Sequence, residues 1–412
     1  MRLITPGRLL AAMSSCARFG SKRSRANTAS VRTKALFTTH APSYPLTLLM
    51  STTTPSIVTK FFDIFKTLHH SGKTNVVAPV SHTVNGRGDC ESIAMAWRAD
   101  VPHEQGWYEF NQDAQKWDEK KDQEEQHSPG GETIDSIALL SWNIDFMLPF
   151  AKARMKPALD HLENLVKRTP SNSASVIFMQ ECTLSDVVLI KEIPWIQKRF
   201  RVTDLNSRNW GTWRYGTISL IDKRLPIKAA FRVHYSKTQM NRDAFFVDTA
   251  VNDKTIRLCN THLESLAFHP PCRPAQMELI AKYLHDPKVH AGLVAGDFNA
   301  NQPFDRTLHA NNNLKDAFLE LGGKEGTEEG YTWGQQARKK ARERFGCSRM
   351  DKIFYCGGID VNEFERFGRD VVVQEKKEAE EIVAMGFEKA WVTDHLGVKA
   401  VVKLTKKGSS RL

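Results

Sequence analysis

The chain is 412 residues long and has no apolar run of transmembrane length, so nothing in it reads as a membrane-spanning helix. Its seven cysteines are odd in number, and no pair is spaced C-x-x-C. That argues against a disulfide framework and a structural zinc site, and for free thiols in a reducing compartment. G-x-S-x-G, the phosphate-binding P-loop and H-E-x-x-H are all missing. Serine-nucleophile, P-loop and zincin chemistry therefore find no support, and direct attack by water is favoured. There is no internal repeat. Residues 1–62 contain no acid at all but nine basic residues, which carry most of the formal net charge of +11 and leave +2 for residues 63–412. The basicity is thus weak evidence that the body of the chain binds a polyanion.

The composition that remains is globular, with 41% hydrophobic and 25% charged residues. The acid-free leader resembles a mitochondrial transit peptide. The alternatives are a disordered basic tail, or sequence upstream of a start at Met50. The last residues, Ser410-Arg411-Leu412, approximate a peroxisomal address. The two signals name different organelles and leave the nucleus open within an intracellular location. Residues 63–132 form an extension in which Gln112 to Gly131, charged and then rich in Gly and Pro, reads as a solvated linker or surface loop. Residues 133–406 read as one catalytic domain of α/β class, followed by a short tail, 407–412.

Within that domain, short apolar runs alternate with helical spacing. Strands are expected over 137–143, 175–181, 217–221, 244–251, 255–262, 292–297, 350–355 and 397–404. Helices are expected over 150–167 and 274–284. Polar residues gather where the runs end: Asn143, Glu181, His262, Asp297, and Asp394-His395 just before the last run. Ligand sites of α/β folds often lie at strand ends.

Six segments stand in order: Ser141-Trp142-Asn143, Gln180-Glu181, Thr261-His262-Leu263-Glu264-Ser265, Gly296-Asp297-Phe298-Asn299, Arg349-Met350-Asp351-Lys352-Ile353 and Thr393-Asp394-His395. Each alone is weak, because Asn, Asp and His are common structural residues. Together they supply what hydrolysis of a phosphate ester needs. A hard cation, magnesium or in its place manganese, takes oxygen ligands, for which Glu181 leads with Asn143 nearby. Asp297 could orient or deprotonate a water, and Asn299 could hold a phosphate oxygen. His262 and His395 could stabilise developing charge, with Asp394 orienting an imidazole or touching the metal.

This motif set resembles the endonuclease/exonuclease/phosphatase family, a four-layer α/β/β/α sandwich, over roughly residues 135–406. The resemblance implies a metal-dependent phosphodiesterase. It assigns metal binding to Glu181 and Asn143, the place beside the scissile phosphate to His262, and the attacking water to Asp297 and Asn299. Asp394-His395 match the terminal motif, while Arg349 and Asp351 match a supporting motif or serve structure alone. The His-Leu-Glu-Ser run, Met240-Asn241-Arg242-Asp243 and Tyr331-Thr332-Trp333 are similar to the 5′-tyrosyl-DNA phosphodiesterase branch. That branch implies DNA repair on a single-stranded 5′ DNA end bearing a tyrosyl adduct. Substrate contacts would come from Ser265, Arg242, Tyr215 and Trp333. Trp333 would stack on a base or pack in the core, and Tyr215 would line the site or pack in the core. Ala300-Asn301-Gln302 departs from the branch's usual Leu-Arg-Asp. The same chemistry also fits an abasic-site endonuclease, an RNA deadenylase or an inositol or lipid phosphatase, and the same fold an inactive binding module. The basic run Gln335 to Arg344 reads as a DNA-backbone contact or as a solvated helix face. A monomer is expected.

Overall fold

A computed structural model describes residues 80–84, 90–94, 97–121 and 134–405. Both candidate addresses and the start at Met50 lie outside these residues. Two βαβ units organise the body. Strand Ser136–Asn143 leads through the helix Ala151–Arg168 to the parallel strand Ser173–Cys182. Strand Lys254–His262 leads through Arg273–Leu284 to the parallel strand Ala291–Asp297. A parallel pair needs such a crossover, whereas antiparallel strands close with short turns. Asn252 and Asp253 make one of these turns, both at positive φ (48° and 59°), the conformation that two-residue hairpin loops select.

Each parallel pair sits inside a mixed sheet. One has eight strands in the order 359–367, 397–404, 136–143, 173–182, 216–222, 200–202, 107–111 and 116–120. The other has seven in the order 315–316, 351–357, 291–297, 254–262, 243–251, 227–234 and 103–104. Strand alternation divides the apolar side chains between two faces. Leu139, Val176, Leu258 and Leu293 meet in the core between the sheets. Their neighbours Leu140 and Ile177 pack outward with Met155, Leu159, Leu162 and Val166, the apolar positions of the helix Ala151–Arg168. On the opposite side Cys259 and Val294 pack with Met277, Ile280 and Leu284. The layers are therefore helix, sheet, sheet, helix, as expected.

The stretch expected to be a linker differs in part. Lys116–Lys120 is an edge strand paired with Trp107–Asn111, which itself extends the eight-stranded sheet. His103–Glu104 joins the other sheet. Alternating charges hide such an edge strand, because one of its faces is wet. Cys182, Cys259, Cys272, Cys347 and Cys356 are free thiols. Among the described residues, no helix is long and apolar enough to cross a membrane.

Candidate active site

Both parallel pairs end at one edge of the sandwich, where their terminal side chains meet. Asn143 closes one strand, while His262 and Asp297 stand opposite each other at the ends of the other pair. Asp351 opens the strand beside Asp297 and pairs with it in register. Glu181 reaches the cleft by a break in alternation. The register against Gly216–Asp222 slips between Met179 and Cys182, and Glu181 has φ 59°. Such bulges re-aim a side chain and cluster at active sites. Gln180 then points inward and donates to Asn260 (2.8 Å), leaving the Glu181 carboxylate facing the cleft.

Asp297 is the hub. Its Oδ2 accepts from Asn143 Nδ2 at 3.0 Å, and its Oδ1 from the Asn299 backbone N–H at 2.8 Å. His262 Nε2 lies 3.3 Å and His395 Nε2 3.7 Å from Asp297 Oδ2. Burial alone would raise the Asp297 pKa, but His395 and His262 outweigh it and hold the carboxyl well below the usual range. So strongly ionised a carboxylate is a weak base, which suits orienting water better than deprotonating it.

His395 places Nδ1 2.8 Å from Asp351 Oδ2 and Nε2 3.8 Å from Asp394 Oδ1. Burial opposes its charge, yet Asp351, Asp297 and Asp394 push its pKa well above the ordinary imidazole value. These carboxylates thus favour the charged imidazolium at His395.

His262 is held differently. Its Nδ1 lies 2.6 Å from Arg242 Nη1. A guanidinium only donates, so Nδ1 accepts, and the ring is neutral with its proton on Nε2. That atom is buried, 3.3 Å from Asp297 Oδ2 and 3.7 Å from Glu181 Oε1. His262 thus offers an N–H donor to the cleft rather than a lone pair to a metal. Arg242 also donates to Ser265 Oγ (2.8 Å) and lies over the Tyr215 ring at 5.1 Å. Tyr215 in turn contacts Phe146 with ring centroids 4.1 Å apart. Both Tyr215 and Ser265 are placed at the cleft.

The geometry also assigns side chains whose roles the sequence left open. Asn143 presents Nδ2 to Glu181 Oε1 (3.2 Å) as well as to Asp297, while its Oδ1 accepts from Asp145 N (2.9 Å). The amide links the two carboxylates, and its oxygen is engaged elsewhere. Trp333 is half-buried and donates Nε1–H to Asp394 Oδ2 at 2.7 Å, so it anchors that acid. Asn299, at φ 49°, donates to Leu263 O (3.1 Å). Asp351, left between support and structure by the sequence, contacts His395 directly. Asp145 and Phe146 were missed, since neither lies in a recognisable motif.

The donor set fits a hard divalent cation. Glu181, Asp297 and His262 place one ligand-type atom each within 4.8 Å of one another, and so do Asp297, Asp351 and His395. With both imidazoles acting as donors, the available ligands are carboxylate oxygens, the choice of magnesium-class ions. The site also has an excess of negative charge. Desolvation, then Asp394 and Glu181, pushes the Asp145 carboxyl up to about 7, and a cation would relieve that repulsion.

The profile of the Endonuclease/Exonuclease/phosphatase family matches residues 140–395. A Caenorhabditis elegans 5′-tyrosyl-DNA phosphodiesterase is 23% identical over 238 residues, 57% of this chain and 61% of that protein. Human tyrosyl-DNA phosphodiesterase 2 is 25% identical over 229 residues, 53% of this chain and 57% of that protein. The matched stretch thus spans about three fifths of these relatives. Among solved structures, a humanized D. rerio TDP2 superimposes with a TM-score of 0.50 at 19% identity, covering 65% of this chain and 99% of that one, a likeness of fold. With its motifs at the strand ends, its sandwich fold and a profile match over more than half its length, the chain belongs to the endonuclease/exonuclease/phosphatase family.

Proposed function

We propose that the protein is a magnesium-dependent phosphodiesterase that releases a tyrosyl adduct from a single-stranded 5′ DNA end, in DNA repair, and acts as a monomer. The observation that carries this reading is the meeting of Glu181, Asp297, His262 and His395 in one cleft. Glu181 and Asp297 would hold the cation, with Asn143 bridging them. When bound, the cation neutralises phosphate charge. Asp297 orients the attacking water, fixed by the Asn299 backbone N–H. His262 donates from Nε2, and His395 sets a positive charge against the charge that develops. Ser265 and Asn299 would contact further phosphate oxygens.

The named relatives support the tyrosyl substrate, as does the wall beside His262. Phe146, Tyr215 and the overlying Arg242 form an aromatic and cationic surface suited to an aromatic leaving group. The test is a substrate panel with the full chain and magnesium: 5′-tyrosyl DNA, 3′-tyrosyl DNA, abasic duplex, poly(A) RNA and inositol phosphates. The 5′-tyrosyl substrate is expected to turn over best. Chelation should abolish cleavage, and magnesium or manganese should restore it. Preference for another member would move the same chemistry to that substrate. No metal-dependent cleavage of any member would leave a binding module on this fold.

A further inference from the structure

Of the His-Leu-Glu-Ser run, His262 and Ser265 stand at the cleft and Leu263 packs in an apolar core. Glu264 turns another way. It is fully buried, and a buried carboxylate is unfavourable unless its oxygens are engaged. Three donors meet it, none of them a cation. Thr238 donates Oγ1–H to Oε2 (2.6 Å), the Gln239 backbone N–H donates to Oε1 (3.0 Å), and Gln276 Nε2 donates to Oε2 (3.3 Å). Thr238 and Gln239 belong to the turn 235–242, which links the strands Ile227–His234 and Asp243–Val251. Tyr235 N–H closes that turn on Arg242 O (3.1 Å).

The turn is held at its centre as well as at its ends. Thr238 Oγ1 accepts from Met240 N–H (3.2 Å) and Arg242 N–H (3.0 Å), so its own proton must go to a separate acceptor. A carboxylate can accept from all the donors that meet Glu264, whereas a glutamine amide would set N–H against at least one of them. Gln276 braces the same corner. Its Oε1 accepts from Glu264 N–H (3.0 Å), and its Nε2 also donates to Lys237 O (2.8 Å). On its other side the turn rests on the segment that carries Tyr215. A Cβ on Gly211 would clash with the Asn241 carbonyl oxygen, a close approach that only glycine permits.

Arg242 ends the turn, buried, with its guanidinium on His262 Nδ1, Ser265 Oγ and the Tyr215 ring. The contacts close a circuit. Glu264 fixes Thr238, Thr238 fixes the Arg242 backbone, and the Arg242 side chain returns to the two polar residues that flank Glu264 in the sequence. We propose that Glu264 is a positioning residue for the reaction. Acting through Thr238, it holds Arg242 against His262, Ser265 and Tyr215. The inference rests on the phosphodiesterase reading and extends that site to side chains that never touch the substrate.

The test compares Thr238→Val, which keeps the volume and removes the hydroxyl, with Thr238→Ser, which restores it, and adds Glu264→Gln. The valine and glutamine variants are expected to lower kcat on a 5′-phosphotyrosyl oligonucleotide by about 10- to 100-fold, with KM changed less, because a reacting group misplaced by about 1 Å has this effect. The serine variant should remain close to wild type. In an Arg242→Met background, Thr238→Val should bring little further loss, since both changes disturb one element. Additive losses would overturn the proposal, and so would wild-type turnover in Thr238→Val. A second readout needs no substrate. Side-chain nitrogen NMR of the full chain with isotope-labelled histidine reports the tautomer of His262, its signals identified by their loss in His262→Ala. Wild type is expected to carry the proton on Nε2, and Thr238→Val to show a mixture of tautomers. Unchanged His262 signals together with a lowered urea midpoint would make Glu264 an anchor for the turn alone. The spectrum judges Glu264 even if the tyrosyl substrate proves wrong.

Discussion

At Asp297, four polar groups converge on one carboxylate: an amide, a backbone N–H and two imidazoles. Asp297→Asn keeps the shape and removes the charge, while His395→Ala removes the cation. Each is expected to lower hydrolysis of a 5′-phosphotyrosyl oligonucleotide by about 10²- to 10⁴-fold, with a folded protein by circular dichroism. Turnover within a few-fold of wild type in either variant would take that residue out of the mechanism. Both residues were legible in the sequence, because short motifs place them at strand ends. Asp351 was half legible. It stands in a quoted segment, but only its pairing opposite Asp297 shows that it touches His395.

The parallel strands that deliver Asp297 and His262 depend on close approach at one residue. A Cβ on Gly296 would lie 1.8 Å from the Thr261 carbonyl oxygen, inside the ladder that aligns the two site residues. Gly296→Ala should destabilise the protein by about 3 kcal/mol, read as a shifted midpoint in urea unfolding. A variant within about 0.5 kcal/mol of wild type would show that the strands can move apart there. Strands with clean apolar runs were readable within one or two residues. Ile227–His234 was not, because the buried polar residues Arg232 and His234 interrupt its apolar pattern. Ile359–Phe367 was not either: it is an edge strand with charged residues along its wet face.

The two sheets are joined through apolar packing and, away from the cleft, through a buried ion network. Arg232 reaches Asp243 (2.7 Å) on its own sheet, and across the gap it reaches Asp204 (3.0 Å) and Thr217 (3.0 Å). It also donates to Gln105 (3.1 Å), from the segment whose strands enter both sheets. Arg232→Met would leave two buried carboxylates without their shared cation and should cost about 3–5 kcal/mol at neutral pH. Chemical denaturation measures this, and an unchanged midpoint would mean that packing alone joins the sheets. The segment containing Gln105, whose strands enter both sheets, therefore packs as part of the body.

The sequence by itself determined the α/β class, the order of the main strands and the acid, amide and imidazole groups available for chemistry. Those properties follow from local periodicity and from short motifs. Only the tertiary structure decided how the groups are used. The bulge that turns Glu181 into the cleft, the Arg242 contact that makes His262 a donor, the turn of the Asn143 amide and the Trp333 hydrogen bond that anchors Asp394 all depend on particular contacts in the fold. Asn143 and Asp297, for example, are 154 positions apart. A protonation state or an amide's orientation is set by whatever stands opposite in space, and local spacing along a chain does not encode what that neighbour will be.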